Sequence, residues 1–233
     1  LGAGLDARFG VWKSPVLKLT QFDAVTEEGV AVVTARYEMP QVKGVLTMTY
    51  RINGAGEVSV AEQLEAGDAE APGMFRFGMT MAMPARYSEI VYYGRGGHEN
   101  YCDRLSSADL GLYSQKVADQ YHDEYVRPQE SGTKSDLRWW SVVDSSGSGL
   151  VILSEAPFSA SALPYATEAL DVTNFPPQQH SGPLRSGDRT YVNFDLRQMG
   201  LGCINSWGEL PEDQYMIPYG DYTFRFLLRP TVK

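Results

Sequence analysis

The sequence predicts an all-β fold, one large antiparallel sandwich, on three observations. Apolar residues alternate with polar ones at period two in segment after segment. Turn-forming residues separate nearly all of these segments, and helical periodicity is almost missing. Leu46, Met48, Tyr50 and Ile52 alternate with Thr47, Thr49 and Arg51, the pattern of a strand buried on one face. Asn53-Gly54-Ala55-Gly56 then turns the chain and Val58 and Val60 resume the alternation, so a hairpin is predicted. Phe75, Phe77, Met79, Met81 and Met83 form another alternating set, closed by Pro84. Tyr222, Phe224, Phe226 and Leu228 form a third. Residues 17–25, 30–37, 89–93, 137–143, 150–153, 158–162 and 191–196 complete the predicted strands. The 23 Gly and 13 Pro supply the punctuation that many short strands need. Only residues 165–172 fit a short helix, and Pro176-Pro177 forbids its extension. No linker or repeat divides the 233 residues, so a single domain over 1–233 is expected.

Composition narrows the function classes. A net charge of −9 and a pI near 4.9 argue against nucleic acid as a partner, since its binders need a basic face. No window reaches the roughly 18 apolar residues of a membrane span, so a soluble protein of the cytoplasm or periplasm is expected, with no membrane partner. Leu1-Gly2-Ala3-Gly4 has no initiator Met and no signal-peptide pattern; it reads as the cut end of a longer chain. Cys102 and Cys203 are expected to be free thiols, with a bridge between their two loops as the alternative.

Two stretches carry polar chemistry on glycine-rich backbone. Gly94-Arg95-Gly96-Gly97-His98-Glu99-Asn100-Tyr101-Cys102-Asp103-Arg104 follows a strand and reads as a surface loop. Met199-Gly200-Leu201-Gly202-Cys203-Ile204-Asn205-Ser206-Trp207-Gly208 brings an indole into polar surroundings, a natural platform for the C–H face of a sugar ring. A Trp capping the core is the competing reading. Trp139 and Trp140 are adjacent in a strand, so one faces inward and the other outward. Other chemistries fail on spacing. Gly94-x-Gly96 lacks the third glycine and the following helix of a dinucleotide site. His98, His122 and His180 are too scattered for zinc, no Gly-x-Ser-x-Gly elbow exists, and no acidic pair is marked as a glycosidase acid and nucleophile.

The Gly-x-Gly-x-x-Glu-Asn-Tyr-x-Asp-Arg pattern at 94–104 and the Met-Gly-x-Gly-x-x-x-Ser-Trp pattern at 199–207 resemble the C-terminal domain of β-galactosidases of glycoside hydrolase family 2. Thr49-Tyr50-Arg51-Ile52-Asn53-Gly54 and Tyr125-Val126-Arg127-Pro128-Gln129-Glu130-Ser131-Gly132 are similar to the same domain. The matches are in order and run from about Trp12 to the end of the sequence. The resemblance implies an antiparallel super-sandwich related to galactose mutarotases. It implies one wall of a galactoside pocket, with both catalytic glutamates on a barrel domain outside this chain. The chain alone is then inactive, and no residue in it is catalytic.

By the same resemblance Trp207 stacks on the galactoside, and Asn205, His98, Asn100, Asp103 and Arg104 are the further candidate substrate-binding residues. Asp103 and Arg104 have a second reading, as groups paired inside the domain. The implied partners are a galactoside or oligosaccharide substrate, the other domains of the parent enzyme, and further copies of that parent in a homo-oligomer. No cofactor or metal is expected in this chain, while Mg or Na belongs to the parent. The Arg127-Pro128 segment resembles one that holds a monovalent cation through backbone carbonyls, against which the Arg127 charge argues. Cys102, Arg95 and Asn205 depart from the family pattern and put substrate preference in doubt. The alternatives are a non-catalytic carbohydrate-binding or subunit-docking module, and an autonomous mutarotase-like epimerase.

Overall fold

The computed structural model describes residues 4–67, 70–171, 184–205 and 208–231. Eleven strands form an antiparallel array: β1 (Lys18–Glu27), β2 (Val30–Met39), β3 (Gly44–Ile52), β4 (Val58–Glu65), β5 (Arg76–Pro84), β6 (Glu89–Gly96), β7 (Asp109–Lys116), β8 (Lys134–Val143), β9 (Gly149–Leu163), β10 (Arg189–Gln198) and β11 (Tyr222–Thr231). The main path runs β1-β2-β3-β4-β11-β9-β8-β6-β7, and the β5–β10 pair joins it through β9. Among the described residues helix is confined to short pieces, α1 (Leu5–Phe9), α2 (Thr167–Leu170) and three single 3-10 turns.

The predicted hairpin forms as read: Asn53 Oδ1 accepts the amides of Ala55 and Glu57 at 3.0 and 3.1 Å, an Asx turn that fixes the β3–β4 register. The two predicted strands at 150–153 and 158–162 are one strand, β9. Residues up to Ser154 pair with β11 and residues from Ser159 pair with β10. Between them the β8 partner slips register, and Pro157, which has no amide to donate, stands in this irregular stretch. The bend lets a single strand serve both layers.

The layers meet through rings. Phe194 on β10 packs edge-on to Phe226 on β11 at 5.0 Å, and Phe77 on β5 lies 5.4 Å from Tyr222. Trp140 is fully buried against Tyr92, while Trp139 is half-buried, as their alternation requires.

Two expectations are corrected. Residues 94–96 are the end of β6, not the start of a loop. Their glycines serve close approach rather than turning. A Cβ on Gly94 would stand 2.6 Å from Leu137 Cδ2, and one on Gly96 would stand 2.8 Å from Tyr113 Cδ2. The predicted helix at 165–172 shrinks to the four residues of α2. Strand β7 went unpredicted.

Candidate functional site

The two polar stretches, distant in sequence, meet in space. Asp103 Oδ2 accepts the Gly202 amide at 2.5 Å, and Cys102 Sγ donates to the Gln198 carbonyl at 3.4 Å. A Cβ on Gly200 would come 2.5 Å from the same Asp103 oxygen and 2.9 Å from Tyr215 Cβ, so this glycine is what lets the carboxylate reach the loop. The loop is also tied down by Met199 N to Phe75 O and Gly200 N to Tyr215 O, each 2.9 Å. Asp103 Oδ1 is buried and has no hydrogen-bond partner. Both cysteines are free and exposed.

Within the first loop, Glu99 and Asn100 are buried and committed to the protein. Asn100 Oδ1 accepts Ser135 N at 2.9 Å and Ser135 Oγ at 2.5 Å, and Nδ2 donates to the carbonyls of Arg95 and His98, both at 3.1 Å. Three of these bonds stitch the loop to β6 and β8, the fourth closes on His98 within the loop, and the side chain is fully buried. Glu99 accepts Arg104, Tyr125 and, at 2.8 Å, the Gly132 amide, with His122 Nε2 3.5 Å away. Burial pushes this carboxyl up, but the bonds from Tyr125 and Gly132, with His122 and Arg104, outweigh it and hold it below its ordinary value. Arg104 remains half exposed beyond its bond to Glu99. His98 is exposed and shares a 3.0 Å hydrogen bond with Ser107 Oγ. Asn205 is exposed on the second loop and accepts the Glu209 amide at 3.4 Å. Ser206, Trp207 and His180 lie outside the described residues. At the segment linked by resemblance with a monovalent cation, Arg127 is exposed and its carbonyl already takes Gln129 Nε2 at 3.3 Å. The guanidinium carried there makes a cation a poor fit.

A second polar group was not read from the sequence. Arg76 on β5 bridges Glu130 and Asp195, with Asp195 Oδ2 at 2.7 Å. Across the sandwich stands Glu62 on β4, 6% exposed, its Oε2 without a partner. Burial and then the Asp195 charge push Glu62 up to about 8. Asp195 is pushed up to about 6 by burial, against the pull of Arg76. Glu62, Arg76 and Glu130 line a cavity of about 650 Å³ whose other walls are mainly apolar.

A stability prediction follows from Glu62. Unfolded, it titrates near 4.5; folded, near 8. Between those pH values the folded state keeps a proton that the unfolded state loses, so stability falls as pH rises, by up to about 1.4 kcal/mol per unit. Asp195 adds to the slope between its ordinary 3.8 and about 6. Glu62→Gln, a neutral isostere, is expected to flatten the slope and to exceed wild type at pH 8 by roughly 2–4 kcal/mol in denaturant melts. An unchanged slope would mean that Glu62 is ionised in the fold.

Comparison with known proteins places the chain. Among solved structures it is similar to the GH36 α-galactosidase AgaA of Geobacillus stearothermophilus, at TM-score 0.47 and 8% identity over 94% of this chain and 28% of that one. It is also similar to a galactose mutarotase related enzyme of Lactobacillus acidophilus, at TM-score 0.39 and 9% identity over 91% and 72%. Scores at this level carry no argument about function. The β-galactosidase of Priestia megaterium is 30% identical over 234 residues, 99% of this chain and 22% of that protein. That of Streptococcus thermophilus is 30% identical over 235 residues, 98% of this chain and 22% of that protein. The chain spans about a fifth of the length of these curated relatives. The family model described as beta galactosidase small chain matches residues 5–228, and the chain belongs to that family.

Proposed function

We propose that this chain is the C-terminal domain of a retaining β-galactosidase and completes one wall of the galactoside pocket. The catalytic glutamates lie on a barrel domain outside it. The observation that carries this reading is a family match over residues 5–228 in a chain that spans only about a fifth of its β-galactosidase relatives. The Asp103–Gly202 bond supports it, because it makes one rim of the two loops. On that rim His98, Arg104 and Asn205 are exposed and can meet a galactoside's hydroxyls, while buried Glu99 and Asn100 hold the rim's shape. Trp207, five residues beyond Gly202, stacks on the sugar's C–H face, worth ~1 kcal/mol beyond the area it buries. The displacement itself belongs to two carboxylates about 5–5.5 Å apart in the rest of the parent, which is this chain's principal partner.

The test is a division of activity. The purified chain alone is expected to leave a nitrophenyl β-galactoside unhydrolysed, and rejoining it to the rest of the parent is expected to give turnover. In the parent, Trp207→Ala is expected to raise KM about tenfold, the equivalent of ~1.4 kcal/mol. Turnover by the chain alone would overturn the reading. An unchanged KM would take Trp207 out of the pocket.

A further inference from the structure

We infer that the cavity between the two β layers binds an organic cation, a primary or secondary amine carried on an apolar body. This goes beyond the galactosidase reading and does not rest on it, because every group involved lies within this chain. The volume, about 650 Å³, is that of a small-molecule pocket. Two buried polar atoms on its wall have no hydrogen-bond partner: Glu62 Oε2 from β4, and Gln198 Oε1 at the end of β10. The one guanidinium on this wall, Arg76, is already held by Glu130 and Asp195. A buried acceptor without a donor is costly, and a ligand N–H would relieve it.

Charge selects among donors. Glu62 feels the charge of Asp195 on β10 and acts on Tyr50 of β3, and it shares the cavity lining with Arg76 from β5 and Glu130 from the segment before β8. The far wall adds Glu168 and Asp171 at α2, with Lys13 paired to Asp171. Acids outnumber cations, so an anion is repelled and an ammonium is drawn in. The aromatic side chains of Phe9, Trp12, Phe75 and Phe77 line the cavity and suit a cation's apolar body. A sugar fits badly, since most of its hydroxyls would face Met39, Leu46 and Leu64, which offer no acceptor. A purely apolar guest would leave Glu62 as it is.

An ammonium binds the carboxylate form of Glu62, so below the acid's own titration point each binding event releases one proton to solvent. Calorimetry on the chain with phenethylamine as probe is therefore expected to show tightening by roughly tenfold from pH 6 to pH 7, and by less from pH 7 to pH 8. The hydroxyl analogue 2-phenylethanol is expected to bind at least about tenfold more weakly, with no pH slope. Glu62→Gln, checked for folding by its melting curve, is expected to bring phenethylamine down to the alcohol's level. Absence of heat with phenethylamine up to about 10 mM would overturn the inference. So would equal binding of amine and alcohol, or a pH slope that survives Glu62→Gln. Should that variant fail to fold, the wild-type slope and the amine-to-alcohol ratio decide alone. None of these outcomes depends on galactoside turnover, so the two readings stand or fall separately.

Discussion

Arg76→Ala is expected to destabilise the protein by about 3–5 kcal/mol, because it strands two carboxylates rather than merely losing a contact. Asp195 is 4% exposed at its side chain and Glu130 is mostly covered, and Arg76 is their shared cation. Glu62 lies near enough for the Asp195 charge to raise it, so three acids would then face one another. Asp195 and Glu62, both raised by burial, can relax by taking up protons. The deficit should therefore grow with pH, from modest at pH 5 to full at pH 8, since these two hold their protons at low pH and lose them as pH rises. Denaturant melts of wild type and variant at both pH values measure it. A deficit below about 1 kcal/mol, or one equal at both pH values, would show that the cluster is not electrostatically held. Arg76→Lys is expected to recover only part, because an ammonium cannot grip two carboxylates with a planar fork.

The second large effect is expected at Asn100. Its side chain makes four hydrogen bonds in a site with no water access. Asn100→Ala leaves the Ser135 amide and hydroxyl and the carbonyls of Arg95 and His98 unpaired, at a cost of about 3–4 kcal/mol. Asn100→Asp distinguishes the cause. It has the same shape and still accepts from Ser135, but it turns a carboxylate oxygen toward two carbonyls. It is expected to be as damaging as alanine at pH 7 and partly rescued at pH 4, where a protonated oxygen can donate again. If Asn100→Asp matched wild type in thermal melts, the paired carbonyls would not be what anchors the loop.

Strands whose alternation is clean, such as β3, β5 and β11, were legible because period two is a local signal. Strand β7 escaped because it sits at the array's edge. Leu110 and Leu112 are 48% and 69% exposed, so no burial pattern marks them. Gly94 and Gly96 were read as loop because the reason for them lies in Leu137 and Tyr113, which sequence does not place beside them. The Arg76 cluster was invisible for the same cause: its partners stand 54 and 119 residues away. One local clue existed. Val60, Glu62 and Leu64 share one face of β4, and a carboxylate at an inward position is a departure that asks for a reason. The meeting of the two glycine-rich loops was likewise legible only as two separate motifs, since the Asp103–Gly202 bond spans 99 positions.

The placement of β11 between β4 and β9 has a consequence for biosynthesis. Strands β1 to β4 pair with their sequence neighbours and can form as soon as they leave the ribosome. The open side of β4 must then wait for a partner roughly 160 residues downstream, the kind of long-range closure that slows folding. During that interval the nascent meander presents an unpaired edge to every other chain nearby, a hazard that grows with expression rate and shrinks when translation is slow or a chaperone is at hand.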